Sequence, residues 1–270
     1  MIDPRTSGDV LCEQQGGLLV VTLNRPESLN SLTVEMDELY RAILVEADRD
    51  PDVRTIVVTG AGRAFCAGAS VPALEALVDD PDRRHFGPEF HAPLLIDKPV
   101  VAAINGGCVG LGLVAALFCD VRIVADEAKI GTAFAQRGVV AEHGSAFLLS
   151  RIVGDGNARD LLLSARLIRG PEAVRMGLAT ASVPREQVLA EAVGYAERMV
   201  TMCAPWSLAM MKRQLRAGFL EAYDRDAVIA AEYLEEAFRG PAFAEGVRSY
   251  QQKRDPVFGG VGLAPAQPTP

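Results

Sequence analysis

The sequence predicts an α/β protein with a helical C-terminal end, and two observations carry this. Short β-branched runs alternate with helical stretches as far as about residue 125, and from Gly144 onward the apolar spacing is helical. The strand candidates are near-continuous apolar runs rather than alternating ones, as expected of strands covered on both faces. A chain of 270 residues, 49% hydrophobic and 23% charged, can bury a substantial core.

The elements follow in order. Residues 17–23 and 53–59 are short, β-branched and bounded by turn residues, so they read as strands. Between them, 33–50 reads as a helix: Thr33 is the N-cap, with Met36, Leu39, Ile43, Leu44 and Ala47 at helical spacing. Residues 99–104 form a third strand, followed by Asn105-Gly106-Gly107 and a small-residue helix from Gly110 to about Phe118; Val121 to Ala125 is a fourth strand. Helices are then expected over 147–152, 157–165, 171–176, 185–200, 205–219 and 224–238. The expected organisation is a core over 1–200, a helical region for oligomerisation over 201–258, and a disordered tail rich in Gly, Pro and Ala over 259–270. Residues 78–91, with Asp79-Asp80-Pro81-Asp82, read as a mobile polar insertion beside a site.

Composition excludes several functions. No stretch approaches the ~20 apolar residues needed to span a bilayer, and no apolar h-region follows Met1, so a cytoplasmic protein is expected. Five scattered cysteines with no CxxC pair fit a reduced compartment and no zinc site, and His85, His91 and His143 have no metal-like spacing. A net charge of -8 argues against a nucleic-acid partner. A polyanionic ligand would need a local basic patch.

Three glycine-containing segments carry candidate chemistry. Thr59-Gly60-Ala61-Gly62-Arg63-Ala64-Phe65-Cys66-Ala67-Gly68-Ala69-Ser70 follows a strand. It reads either as a plain strand-to-helix turn, with Ser70 as N-cap and Pro72 in the first turn, or as a ligand loop. It matches neither GxGxxG nor a Walker sequence. Ile104-Asn105-Gly106-Gly107-Cys108-Val109-Gly110-Leu111-Gly112-Leu113-Val114 has the same form. Amides at such a helix start suit an anion or oxyanion, and close helix packing through small residues explains the glycines equally well. The third segment, Arg137-Gly138-Val139-Val140-Ala141-Glu142-His143-Gly144, offers an acid.

Together with Leu23-Asn24-Arg25-Pro26-Glu27-Ser28-Leu29-Asn30-Ser31-Leu32, Cys119-Asp120-Val121-Arg122-Ile123-Val124-Ala125-Asp126, Leu149-Ser150-Arg151-Ile152-Val153-Gly154 and Lys253-Arg254-Asp255-Pro256-Val257-Phe258-Gly259, these segments resemble the crotonase superfamily in order and spacing, over about residues 10–260. The resemblance implies a spiral of ββα units with a helical C-terminal region, a homotrimer or dimer of trimers, and an acyl-coenzyme A thioester as substrate with no cofactor. It implies that the thioester oxygen binds the amides of Ala69 and Leu111. Ala64 to Ser70 (with Ala67 and Gly68) would line the coenzyme path, and Arg25 and Lys253 would meet the coenzyme. Family members often carry glycine where Leu111 stands, so less room beside the thioester is expected here.

Two fixed amides stabilise the enolate formed when a proton leaves the carbon next to a thioester. Such a hole defines the family, whereas the placement of carboxylates defines the reaction. The hydratase carboxylate positions hold Val114 and Phe134, which are apolar and would shape the acyl site. Glu142 matches the isomerase-type acid, which moves a proton between C2 and C4; a helix-start acid facing the dipole is the alternative. His143 is expected to be solvated or capping, and Asp120 and Asp126 to be structural turn acids. The activity expected first is 3-enoyl-CoA to 2-enoyl-CoA isomerisation. A hydratase or thioester hydrolase using Glu142, or a non-catalytic acyl-CoA binder, are the alternatives.

Overall fold

The computed structural model describes residues 8–83 and 85–260; most of the expected tail, 261–270, lies outside them. The chain opens with a hairpin of β1 (Val10–Gln15) and β2 (Leu18–Leu23), then α1 (Val34–Arg49) and β3 (Thr55–Gly60). Thr33 caps α1 through its hydroxyl, which accepts from the Met36 amide at 3.1 Å, and Met36, Tyr40, Ile43, Leu44 and Ala47 form its buried stripe. Such a cap contributes about 1 kcal/mol.

From β3 onward each turn of the chain supplies one strand to each of two sheets. β3 leads into β4 (Ala64–Cys66) and α2 (Val71–Asp79); β5 (Val100–Ile104) leads into β6 (Gly107–Val109) and α4 (Leu111–Leu117). The short α3 (Ala92–Leu95) lies between these turns. β7 (Val121–Ala125) leads into β8 (Ile130–Gly131). The larger sheet runs β1-β2-β3-β5-β7-β9, closed by β9 (Ala181–Val183), and the smaller runs β4-β6-β8. All pairings except β1–β2 are parallel. This is the expected mixed α/β spiral of ββα units.

β3 and β5 are buried along their whole length, and Val188, Ala192 and Ala196 of α7 (Arg185–Met202) are fully buried in the same core. The buried Arg122 guanidinium donates to the carbonyls of Ala116, Cys119 and Leu178, so it satisfies the exposed end of α4. Asp120 is structural, as expected: its carboxylate accepts from the Val100 amide and from Lys212 Nζ, both at 2.7 Å.

α5 (Ser145–Ser164) covers both helices expected over 147–165, broken at Gly154, whose φ of 77° is not helical. Next come α6 (Gly170–Arg175), α8 (Pro205–Ala217), α9 (Leu220–Arg239) and α10 (Pro241–Gln251). A second apolar cluster joins Leu77 of α2, Leu234 and Phe238 of α9, and Phe243 and Val247 of α10. The polar reading of 78–91 needs correction: Phe86 and Phe90 are buried, and Phe90 packs on Phe118 at 6.0 Å.

Candidate active site

A cavity of about 1020 Å³ opens where the two glycine-rich turns meet, and α2, α9 and α10 form its far wall. Ala64, Ala67, Gly68, Ala69 and Ser70 line it from one side and Leu111 from another, with Phe134 and Glu142 completing that end.

The first turn is held by Asn30, a fully buried side chain that donates to the carbonyls of Ala61 and Ala64. Leu32 bridges to Ala69: the Leu32 amide donates to Gly68, and the Ser70 amide donates to Leu32, both at 2.8 Å. In that parallel pairing the N–H of Ala69 itself points away from Leu32. Ser70 caps α2, as expected, accepting from the Ala73 amide. On the second turn, Leu111 is the first residue of α4, so its N–H has no acceptor inside the helix. Among the described residues neither amide donates to another group. The close-packing reading of the second glycine segment holds at Gly112, where a Cβ would lie 2.2 Å from the Cys66 carbonyl oxygen.

Glu142 lies in the irregular segment before α5, and its side chain is 13% exposed. Burial alone pushes its pKa up from 4.5 to about 8. Glu142 stands two residues before Gly144, the N-cap of α5, and its carbonyl accepts from the Ser145 amide at 3.0 Å.

His143 corrects its expectation. It is neither solvated nor a side-chain cap: its side chain is 10% exposed, its ring lies 4.8 Å from that of Phe90, and its carbonyl accepts from the Tyr223 hydroxyl at 3.1 Å. Burial, then the charges of His85 and His91, hold its pKa down at about 3, so the ring is neutral. Its Nε2 stands 3.9 Å from Glu142 Oε2, which is therefore no ion pair.

Three residues expected at the site lie outside the cavity wall. The Arg25 guanidinium is engaged by the Ser31 carbonyl at 2.9 Å, with Asp9 at 3.6 Å. Val114 is fully buried inside α4, on a face turned into the core. Lys253 is exposed just beyond α10, and Arg254 beside it pairs with Glu245. The cations that do line the cavity are Arg83, Lys129, Arg137 and Arg166, and Arg137 lies 4.0 Å over the Tyr250 ring. Arg166 is paired with Asp160 at 2.6 Å and Glu172 at 2.8 Å, which leaves Arg83, Lys129 and Arg137 as the local positive charge for a polyanionic ligand against a net charge of -8. Arg137 opens the third glycine-containing segment, whereas Arg83, Lys129 and Arg166 carried no sequence signal, because they come from three other parts of the chain. The same holds for Phe86, Phe238 and Phe243 in the apolar wall.

Comparison with known proteins identifies the family. Residues 13–261 match the family described as enoyl-CoA hydratase/isomerase. The chain is 30% identical to the short-chain-enoyl-CoA hydratase of Clostridium acetobutylicum, covering 91% of this chain and 95% of that one. It is also 30% identical to the 1,2-epoxyphenylacetyl-CoA isomerase of Escherichia coli, over 93% and 98%. The crystal structure of carnitinyl-CoA hydratase from Mycobacterium avium superposes with a TM-score of 0.85 at 29% identity, over 94% of this chain and 99% of that one. The chain belongs to the enoyl-CoA hydratase/isomerase family, whose members act on acyl-CoA thioesters. Among the described residues no helix is long and apolar enough to cross a membrane.

Proposed function

We propose that this enzyme moves the double bond of a 3-enoyl-CoA to the 2-position. The thioester oxygen accepts from the amides of Ala69 and Leu111. Glu142 takes a proton from C2, the electron pair passes into a dienolate held by those amides, and the acid formed on Glu142 protonates C4. The reaction as written needs no metal or redox cofactor.

One observation carries the reading: Glu142 is a buried carboxylate in the wall of the cavity that Ala69 and Leu111 also line. The residues that share that end of the wall, Phe134 and Val139, are apolar. A dry carboxyl with a pKa of about 8 suits a base working near neutrality. Hydration is the second reading, favoured by the hydratase names of relatives. It requires a water held and deprotonated beside the double bond, and the sequence offers an acid at only one of the relevant positions, Val114 and Phe134 standing at the others.

The test is a turnover comparison of 3-enoyl-CoA against 2-enoyl-CoA. Faster loss of the 3-enoyl substrate supports isomerisation; faster hydration of the 2-enoyl substrate refutes it. Failure to turn over any acyl-CoA thioester would leave binding without catalysis as the better reading.

A further inference from the structure

Beside the Glu142 carboxyl, which lines the cavity, stands a buried polar atom that is not satisfied. His143 Nε2 is buried with no hydrogen-bond partner among the described residues. Glu142 Oε2 is 3.9 Å away, and nothing but burial acts on that carboxyl. An unpaired buried polar atom is costly, so the His143 nitrogen calls for a state in which it has a partner, and the Glu142 carboxyl is the polar group beside it.

We propose that His143 is a positioning residue for Glu142: its Nε2–H donates to the Glu142 carboxylate, fixing one oxygen while the other faces the substrate. The proposal rests on the reading of Glu142 as proton carrier. Closing 3.9 Å to hydrogen-bond length requires roughly 1 Å of side-chain movement, and such bonds are commonly long before substrate binds. The imidazole is already aimed. Its ring lies against Phe90, tilted by 36°, its carbonyl is held by the Tyr223 hydroxyl, and its backbone sits at φ 52°.

The direction of the bond follows from the charge. The ring is neutral, so it carries one N–H, and only the tautomer with that proton on Nε2 gives the carboxylate a donor. Other titratable and charged groups stand around the pair. His85 and His91 come from the segment after α2, Tyr223 from α9, and Arg83 and Arg137 from elsewhere in the wall. Among the described residues none of them hydrogen-bonds the Glu142 carboxyl. A carrier that accepts at one carbon and delivers at another must keep its orientation between the two steps, and one fixed oxygen achieves this.

The chain has only three histidines, so ¹⁵N-labelled full-length enzyme resolves His143 directly. The expected spectrum shows a protonated Nε2 whose proton moves downfield as pH rises through about 8, where Glu142 ionises. A bare Nε2 at pH 9 overturns the hydrogen bond. In kinetics, His143→Phe keeps a ring against Phe90 and removes the nitrogen. It should move the rising limb of the kcat/KM profile to higher pH by about one unit, with kcat near neutrality about tenfold lower and KM little changed. His143→Gln, under the same backbone constraint, should recover part of the loss. An unmoved limb, or one displaced to lower pH, overturns the proposal. If Glu142→Gln keeps its turnover, the carrier reading falls and the positioning role with it, whereas the nitrogen spectrum still reports whether the bond exists.

Discussion

Gly68 and Leu111 meet across a surface free of side-chain atoms: a Cβ on Gly68 would stand 3.7 Å from the Leu111 amide nitrogen and 3.0 Å from the Val109 carbonyl oxygen. Gly68 also sits at φ +101°, which residues with a side chain rarely adopt. Gly68→Ala is therefore expected to displace the Ala69 amide without dismantling the sheets. Losing one such donor lowers kcat by roughly 10²- to 10³-fold. Steady-state kinetics alongside circular dichroism would show a kcat loss in a folded protein; unchanged kcat would separate this turn from the chemistry.

Glu142→Gln removes the proton carrier and keeps the shape and the amides. Isomerase turnover should fall by roughly 10²- to 10⁴-fold, while affinity for a non-reactive acyl-CoA, measured by calorimetry, changes little. A large loss of affinity instead would make Glu142 a binding group.

The raised pKa fixes the pH dependence of activity. Glu142 must be charged to accept a proton, so kcat/KM should climb with pH and level off above about 8. At pH 6 roughly one molecule in a hundred carries the base form. A profile already flat from pH 6 would contradict the assignment.

Stability should respond to both members of the Glu142–His143 pair, with opposite signs. The folded pKa of Glu142, about 8, lies above its ordinary 4.5, so the native state holds the extra proton. That stabilisation is complete below pH 4.5 and is lost as pH rises to about 8. It corresponds to at most about 5 kcal/mol. His143 is depressed from 6.5 to about 3, so its contribution is present above pH 6.5 and is lost as pH falls towards 3. Thermal melts of wild type and Glu142→Gln should diverge from pH 5 to pH 8.5, the variant being the more stable at the alkaline end.

The helical end presents apolar side chains to solvent. Trp206 is 74% exposed, and Met202, Met211, Leu215 and Tyr233 are also exposed, whereas Leu234 turns inward to the second cluster. A trimer or pair of trimers is proposed to cover this face. Trp206 is the sole tryptophan, so dilution should shift its emission to the red as assemblies separate. Light scattering that gives a monomer mass at micromolar concentration would refute the assembly.

The sequence carried β2, β3, β5, β7 and α1 because their apolar runs and the Thr33 cap are local signals, but not the six-residue β1, whose second half, Glu13-Gln14-Gln15, is polar and exposed. It did not carry β4, β6 and β8, which are two or three residues long and too short for any periodicity; they exist because successive turns of the spiral stack. The candidate site divides the same way. Ala69, Leu111 and Glu142 sit in recognisable glycine-containing segments, whereas the cavity wall is assembled from residues as distant as Arg83 and Tyr250. Val114 was misplaced because helical position alone does not say which face of α4 meets the core.

The buried Lys212 holds Asp120 and the Pro93 and Lys98 carbonyls, and Leu234, Phe238, Phe243 and Tyr250 close the cavity. Lys212 and the cavity-closing side chains of α9 and α10 follow the amide pair and Glu142 in the chain. The amide pair and Glu142 thus precede in the chain the helices that enclose them, and without those helices the reaction chamber would be an open apolar trough.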